Sequence, residues 1–207
     1  MARRRRAGSA KRQTEDHFTR KARREGFPAR SVYKLQEIER KARLFRGGMK
    51  VLDLGASPGS WTLFAAKQVG PSGRVLSLDL KSPKTALPAH VEWRVGDAFT
   101  QPVEELGAPR SFDIVLSDMA PSTTGRRDLD QYRSFALFMR ALELADSVLA
   151  PGGAFVGKLF QGSDFEQARQ ELRDRFEKVR VVQPPATRAE SYEIFLVGQG
   201  YGCVDKP

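Results

Sequence analysis

Short apolar segments alternate with longer amphipathic segments along most of the chain. Apolar runs bounded by glycine, proline or charged residues predict seven strands, at 50–54, 74–79, 90–94, 112–117, 153–159, 178–183 and 191–198. Apolar residues spaced three or four positions apart predict helices at 31–42, 60–69, 130–149 and 163–175. Strands that alternate with helices form a mostly parallel sheet covered on both faces, so the chain is predicted to have an α/β fold.

Two breaks in this pattern carry topological information. Pro151, Gly152 and Gly153 follow the clearest helical stripe, and they are expected to end that helix and turn the chain into the next strand. The last two predicted strands are separated by Pro184-Pro185 and a short loop, which leaves no room for a crossover helix. The last strand is therefore predicted to run antiparallel to its neighbour.

The stretch Val51-Leu-Asp-Leu-Gly-Ala-Ser-Pro-Gly-Ser-Trp61 has the pattern of a strand, a tight loop and the start of a helix. Gly55 and Gly59 let the backbone turn sharply and approach a ligand closely, and Ser60 is predicted to cap the helix. The next predicted strand ends in Asp79, and an acid at that position can accept hydrogen bonds from a ribose diol. Together these features favour an adenosine-containing cofactor over an ordinary strand–turn–helix unit.

Charged residues also follow the later strands, where ligands of open α/β sheets bind. Asp97 and Asp118 come after the third and fourth predicted strands, and Lys158 ends the fifth, so all are expected on one rim. A salt bridge between Asp118 and Lys158 is one interpretation, and a lysine general base is the other. Because a single carboxylate favours the charged form of lysine, the second interpretation requires another cation in the site.

The net charge of +10 is concentrated at the start of the chain. Residues 1–50 hold 17 Lys and Arg against 5 Asp and Glu, a net of +12, whereas residues 51–207 hold 18 against 20, a net of −2. A basic segment joined to a near-neutral domain indicates a polyanionic partner, of which nucleic acid is the simplest. Residues 1–13 are predicted to be a disordered basic arm, and residues 14–207 a single domain.

Cysteine, histidine and hydropathy narrow the class of protein further. Cys203 is the only cysteine, so a disulfide within the chain is excluded, and His17 and His90 do not have the spacing of metal ligands. No metal site is expected. No apolar run has the length of a membrane span or of a signal-peptide core, so the expected location is the cytoplasm and no membrane partner is expected.

The residues at the strand ends lie within local motifs that resemble one known family, the FtsJ (RrmJ-type) S-adenosylmethionine-dependent ribose 2′-O-methyltransferases, and within it the large-subunit ribosomal RNA methyltransferase E group. The resemblance runs from about residue 15 to residue 200. Departures from the family pattern are Ser57, Ser60 and Tyr192. The segments that carry the resemblance are Ser31-Val-Tyr-Lys34-Leu, Asp53-Leu-Gly-Ala-Ser-Pro-Gly-Ser-Trp61, Ser117-Asp-Met-Ala-Pro121, Leu149-Ala-Pro-Gly-Gly153, Lys158-Leu-Phe-Gln-Gly162 and Arg188-Ala-Glu-Ser-Tyr-Glu193.

The resemblance implies a Rossmann-like class I methyltransferase fold, with a mostly parallel seven-stranded sheet and an antiparallel last strand. It also implies a catalytic tetrad, which falls on Lys34, Asp118, Lys158 and Glu193. Lys34 would supply the second cation that a lysine base requires. The implied cofactor is S-adenosyl-L-methionine, and its implied contacts are Gly55, Gly59, Trp61, Asp79, Asp97 and Asp118.

By the same resemblance, the chain is a monomer that methylates a uridine ribose of 23S ribosomal RNA, in free RNA or in an assembling 50S subunit. The tetrad indicates only chemistry at a ribose 2′-hydroxyl group, so tRNA and an mRNA cap are alternative substrates. A different alternative is a non-enzymatic RNA-binding assembly factor. Packing of the helix is the alternative role for Trp61, and Asp53 is expected to organise the loop. The polar loop 122–127 is either a flap that contacts substrate or a solvated connection.

Overall fold

The computed structural model describes residues 17–184 and 192–203. The predicted basic arm, residues 1–13, lies outside the described residues. The strands are β1 (Lys50–Leu54), β2 (Arg74–Asp79), β3 (Val91–Val95), β4 (Phe112–Ser117), β5 (Leu149–Phe160), β6 (Phe176–Val182) and β7 (Glu193–Tyr201). The helices are α1 (His17–Arg24), α2 (Val32–Ala42), α3 (Ser60–Val69), α4 (Val103–Leu106), α5 (Arg127–Val148) and α6 (Phe165–Arg173).

The seven strands form one sheet in the order β3-β2-β1-β4-β5-β7-β6. The pairs from β3 to β5 are parallel, whereas β7 lies antiparallel between β5 and β6. The predicted α/β class and the predicted antiparallel last strand are both confirmed. Chain order reverses between β1 and β4, and ligands of such sheets bind beyond the carboxyl ends of the strands at that point.

Helices cover both faces of the sheet. On one face α2 and α3 pack against the strands through side chains such as Ile38 and Phe64. On the other face α5 and α6 pack through side chains such as Phe138 and Leu172. None of the described helices combines the length and the apolar character needed to cross a membrane.

The alternation of side chains along the strands assigns the charged residues of the rim to one face. Val156 of β5 and Phe195 of β7 belong to the core beneath α2 and α3. Because side chains two positions apart point to the same face, Lys158 and Glu193 lie on that face as well. The pairing register supports this placement, since Lys158 is opposite Phe195. Residues of β5 and β7 can therefore meet a side chain from α2.

Several elements differ from the sequence-based expectation. α1 was not predicted, because Ala22 is its only buried residue and the helix shows no apolar stripe. The expectation that Pro151-Gly152-Gly153 turns the chain between helix and strand was wrong. α5 ends at Val148, and these three residues belong to β5. There the pairing with β4 shifts register, and Gly152 has a φ of +80°, a backbone conformation that suits a bulge.

Gly157 lets α5 approach β5 closely, next to the position of Lys158. A Cβ at residue 157 would lie 2.7 Å from both Phe138 and Phe155 ring carbons. The two rings meet edge to face with centroids 5.6 Å apart, so neither can move without disturbing the other.

We expect Gly157→Ala to lower the free energy of unfolding by about 1–3 kcal/mol, because the added methyl overpacks the core. Urea denaturation followed by circular dichroism measures this change. Gly47→Ala is the matched control, since the nearest atom to a Cβ there is the Val69 carbonyl oxygen at 4.0 Å. Equal stability of the two variants would contradict this view of the α5–β5 contact.

Candidate active site

The loop after β1 is shaped by close backbone contacts. Gly55 has a φ of +73°, and a Cβ at this position would lie 2.6 Å from Cγ of Met119. The Gly55 N–H donates to the carbonyl oxygen of Leu78 at 2.9 Å, which ties the end of β1 to β2. Only glycine meets both the conformational and the steric requirement here.

Asp79 organises this loop from the end of β2. Its Oδ2 accepts a hydrogen bond from the Ser57 N–H at 2.9 Å, and its Oδ1 accepts one from the Lys81 N–H at 2.9 Å. A carboxylate has about four acceptor positions, so each oxygen can still accept a bond from a hydroxyl group. Asp97 is held in a similar way, since its Oδ1 accepts from the Phe99 N–H at 2.9 Å.

A cleft of about 370 Å³ opens at the carboxyl ends of the strands. It is lined by four of the six predicted cofactor contacts, namely Gly55, Asp79, Asp97 and Asp118. A larger cavity of about 680 Å³ lies at the opposite end of the sheet, where Lys50 and Arg74 begin their strands. We assign the candidate site to the smaller cleft, because the glycine loop and three acids converge there.

The other two predicted contacts, Gly59 and Trp61, lie at the start of α3. Gly59 occupies the N-cap position with a φ of +110°, so the prediction that Ser60 caps the helix was wrong. Ser60 Oγ instead accepts from the Ala29 N–H at 2.8 Å and lies 3.1 Å from the Ala29 carbonyl oxygen. The hydroxyl faces away from the helix amides and fixes the segment that leads into α2.

Trp61 fixes the same segment. Its indole is buried, its Nε1 donates to the Ser31 carbonyl oxygen at 2.8 Å, and its ring packs against Phe195 at 5.6 Å. The side chain therefore has the packing role that was the alternative for this residue. A contact between Trp61 and the cofactor stays a prediction, and it concerns the backbone amide. This amide belongs to the first turn of α3, where the N–H groups have no acceptor within the helix.

Lys34, Asp118, Lys158 and Glu193 come together beside the cleft from four different elements. Lys34 Nζ lies 2.8 Å from Oε2 of Glu193 and 4.0 Å from Oδ1 of Asp118. Lys158 Nζ lies 2.9 Å from the same Asp118 oxygen. Two ammonium groups thus share one carboxylate oxygen, and the second carboxylate brings the formal charge of the cluster to zero.

Lys158 is held more tightly than its partners. Only 4% of its side chain is exposed, against 12% for Lys34, 17% for Asp118 and 20% for Glu193. Its Nζ donates to the backbone carbonyl oxygen of Asp118 at 2.6 Å. The contact with Asp118 Oδ1 is an ion pair without the alignment of a hydrogen bond. A buried ammonium therefore has one fixed hydrogen bond and one adjacent negative charge.

A buried carboxyl group lies beneath the glycine loop. Asp53 Oδ2 accepts from Thr62 Oγ1 at 2.7 Å, and Thr62 Oγ1 is 2.9 Å from Ser77 Oγ. Within the described residues, Asp53 Oδ1 is buried without a hydrogen-bond partner. Burial raises the pKa of Asp53 to about 7, the Thr62 hydrogen bond opposes this rise, and the charges of Asp118 and Asp79 add to it. The expectation that Asp53 organises the loop fits these contacts.

The loop 122–127 has a buried anchor that the sequence did not suggest. Asp130, in the first turn of α5, accepts from the Thr124 N–H at 2.8 Å, from Thr124 Oγ1 at 2.9 Å and from the Gly125 N–H at 3.2 Å. These bonds hold the pKa of Asp130 below its usual value. An acid near the start of a predicted helix was the only available signal. The loop consequently has a defined shape and presents Arg126 and Arg127 to solvent.

Neither histidine belongs to the cluster. His90 Nε2 lies 3.1 Å from the Ala66 carbonyl oxygen, and His17 packs edge to face against Phe18 at 5.7 Å. Among the residues that the structure describes, no group of three or more His, Cys, Asp or Glu side chains is arranged to hold a metal ion.

The sheet order, the antiparallel β7 and the glycine loop together define a Rossmann-like α/β fold with a ligand cleft at the carboxyl ends of its strands. Residues 27–201 match the model of the FtsJ-like methyltransferase family, and the chain belongs to that family.

Curated relatives cover nearly the same length. A ribosomal RNA large subunit methyltransferase E from Sorangium cellulosum is 51% identical over 88% of this chain and 86% of its own. The protein of the same name from Nitratidesulfovibrio vulgaris is 50% identical over 90% and 94%, and that from Desulforapulum autotrophicum is 45% identical over 97% and 99%.

Solved structures support the fold alone. A crystal structure from Plasmodium falciparum, assigned as a ribosomal RNA methyltransferase, aligns with a TM-score of 0.71 at 22% identity and covers 84% of this chain and 97% of its own. A structure from Lactococcus lactis, assigned as a hemolysin, aligns with a TM-score of 0.64 at 14% identity and covers 85% and 89%. Such different assignments on one fold mean that function has to be argued from the site.

The pKa of Asp53 leads to a prediction about stability. Because the folded-state pKa is above the unfolded value, the folded protein binds the proton more tightly, and its free energy of unfolding falls as pH rises from about 4 to 7. We expect Asp53→Asn, which mimics the neutral acid, to gain stability over the native protein between pH 5 and pH 8.

Melting temperatures at each pH measure this difference, since about 1 kcal/mol corresponds to roughly 2–4 °C in a chain of this size. Asp174→Asn, which changes an exposed carboxylate at the end of α6, serves as the control. If the melting temperatures of the native protein and of Asp53→Asn differed by the same amount at every pH in this range, Asp53 would titrate like an exposed acid.

Proposed function

We propose that this protein is an S-adenosylmethionine-dependent methyltransferase that acts on ribose 2′-hydroxyl groups of large-subunit ribosomal RNA. The proposed acceptor is a uridine of 23S RNA, modified during ribosome assembly. The observation that carries the proposal is the ion pair of the buried Lys158 with the partly buried Asp118, joined by Lys34 and Glu193 beside the cleft. The names of the curated relatives support the choice of RNA.

The cleft suits S-adenosylmethionine in shape and chemistry. Asp79 has acceptor positions left for the ribose diol, and Asp97 lies further along the same cleft, within reach of an adenine amino group. Gly55 and Gly59 would let the backbone approach the methionine portion, near Asp118. When bound, the cofactor supplies an electrophilic methyl group on a sulfonium. Because a sulfonium that gives up a methyl group becomes a neutral thioether, the residues of the site would not need to form an oxyanion hole.

The remaining requirement is to hold the 2′-hydroxyl and to receive its proton. We assign the contact with this hydroxyl to Lys158. As an ammonium its side chain fixes the direction of the oxygen lone pair, and only after it has lost a proton, as the neutral amine, can it take up the proton of the hydroxyl. Lys34, with its Nζ 4.0 Å from the shared Asp118 oxygen, places a second positive charge beside the pair. Asp118 keeps Lys158 in place, and Lys34 and Glu193 orient the ribose.

Position accounts for much of the expected rate. A nucleophile held about 3 Å from the carbon that it attacks gains an effective concentration that free reactants lack. Lys158 cannot swing away from its place, because β5 is buried on both faces and its ammonium is bonded to the Asp118 carbonyl oxygen. A rigid lysine can therefore present the hydroxyl in one direction.

We expect Lys158→Ala to lower turnover by about 10²–10⁴-fold, the usual contribution of a general acid or base, while cofactor affinity stays nearly unchanged. Transfer of a radiolabelled methyl group to 50S subunits, free 23S RNA and tRNA measures both the activity and the substrate class. Isothermal titration calorimetry measures cofactor binding.

Lys67→Ala, an exposed lysine on α3, is the control. Turnover of Lys158→Ala close to the native value would refute the assignment of this residue. Labelling of tRNA but not of ribosomal RNA by the native protein would replace the proposed substrate. Failure to label any RNA while the cofactor binds would favour a non-enzymatic assembly factor.

We further propose that the basic residues 1–13 bind phosphates of the substrate RNA. Removing them should weaken RNA binding and flatten its dependence on salt, since fewer counterions are then released on binding, and cofactor affinity should not change. Filter binding of 23S RNA between 50 and 200 mM salt tests this. An unchanged salt slope would show that the arm has another role.

A further inference from the structure

An arginine and a tyrosine pair beside the tetrad, outside the cluster described above. The guanidinium carbon of Arg127 lies 5.1 Å from the centre of the Tyr192 ring. Tyr192 directly precedes Glu193, the partner of Lys34, so the pair lies next to the place where the ribose is proposed to bind. Consecutive Cα atoms are only about 3.8 Å apart, which keeps the two positions close.

Contacts with neighbouring residues fix the positions of both Arg127 and Tyr192. Arg127 follows the loop that Asp130 anchors through Thr124 and Gly125. The Tyr192 ring meets the buried ring of Phe160 edge to face at 4.9 Å, and the Tyr192 carbonyl oxygen accepts from the Gln161 N–H at 2.9 Å. The exposed guanidinium of Arg127 thus lies over a ring whose own position is fixed by packing. Because the guanidinium is already ordered, it loses less conformational entropy when it binds a ligand.

The charge of Arg127 is not neutralised by a carboxylate. In residues 17–184 and 192–203, Arg127 takes part in no salt bridge, and its neighbour Asp128 pairs instead with Arg126 at 3.6 Å. By contrast, the exposed Arg40 and the half-buried Arg94 do have carboxylate partners. A solvent-facing guanidinium that is fixed in place and lacks an anion has the chemistry of a phosphate-binding group.

We propose that the Arg127–Tyr192 pair binds a backbone phosphate of the substrate RNA, on the nucleotide that flanks the methylated ribose. Tyr192 holds the guanidinium flat by a cation–π contact, and the N–H groups at its edge bind the phosphate. The pair fixes the register of the RNA and does not touch the reacting atoms. This inference rests on the proposed function and adds to it a positioning site for the acceptor.

RNA affinity tests the proposal without reference to catalysis. We expect Arg127→Gln to weaken binding of a 23S RNA transcript about tenfold at low salt, as expected for the loss of a hydrogen bond to a charged group. The slope of log affinity against log salt should fall by about 0.7–0.9, the value for one phosphate contact. Arg127→Lys should keep the native slope. Tyr192→Phe should bind like the native protein, and Tyr192→Leu should bind more weakly.

Arg173→Gln removes an equal charge from the exposed end of α6 and should leave affinity and slope nearly unchanged. In methyl transfer, Arg127→Gln should raise the KM for RNA and leave kcat within about twofold, because a positioning contact acts on binding.

Three results would overturn the proposal. An unchanged salt slope in Arg127→Gln would exclude a phosphate contact. Equal loss of affinity in the Lys and Gln variants, with an unchanged slope, would instead assign the guanidinium to stacking on a base. If Arg127→Gln and Arg173→Gln lowered RNA affinity equally, the loss would be due to the change in net charge and not to a specific contact. The proposed function itself is tested by methyl transfer with the native protein. If the native protein methylated no RNA, the proposed function would fail, and this result is distinct from the three outcomes above, which concern RNA affinity of the variants.

Discussion

The ammonium of Lys158 lies almost wholly out of water, and the neighbouring elements are arranged to compensate for this. An isolated buried charge would cost several kcal/mol, so the lysine has to meet a carboxylate and a hydrogen-bond acceptor. Asp118 provides both, through Oδ1 and through its backbone oxygen. This requires β4 and β5 to be neighbours with their carboxyl ends aligned, as the parallel pairing has them. Gly157 then gives α5 the space to cover the opposite face of β5.

A second coupling joins the glycine loop after β1 to the cluster of Lys34, Asp118, Lys158 and Glu193. The start of α3 follows directly from the glycine loop, and Ser60 and Trp61 bind the backbone of Ala29 and Ser31. That segment leads into α2, which carries Lys34. The position of Lys34 thus depends on the helix that directly follows the glycine loop. A shift of the loop would move the charge next to Asp118. Under the proposed function, cofactor binding and acceptor positioning are therefore mechanically connected.

Much of the fold could be predicted because its signals are local. β1, β2, β4 and α3 have the predicted bounds, since each is a continuous apolar or amphipathic run ended by glycine or a charged residue. α1 could not be found in this way, because a short helix with a single buried residue has no stripe. The bulge in β5 was mistaken for a turn, since proline and glycine mark any bend of the backbone, whether it ends a strand or only displaces one.

The class of fold, the glycine loop and the identity of the four charged residues could be predicted from the amino-acid sequence, because each depends on a short motif or on the periodicity of one segment. The packing of distant elements set three further features: ion pairs of 4.0 Å or less join these four side chains into one cluster, Ser60 and Trp61 anchor the segment before α2, and Arg127 lies over the ring of Tyr192. Such contacts join residues that are far apart in the chain. Their distances follow from strand order, pairing register and helix packing, which no local pattern of residues encodes.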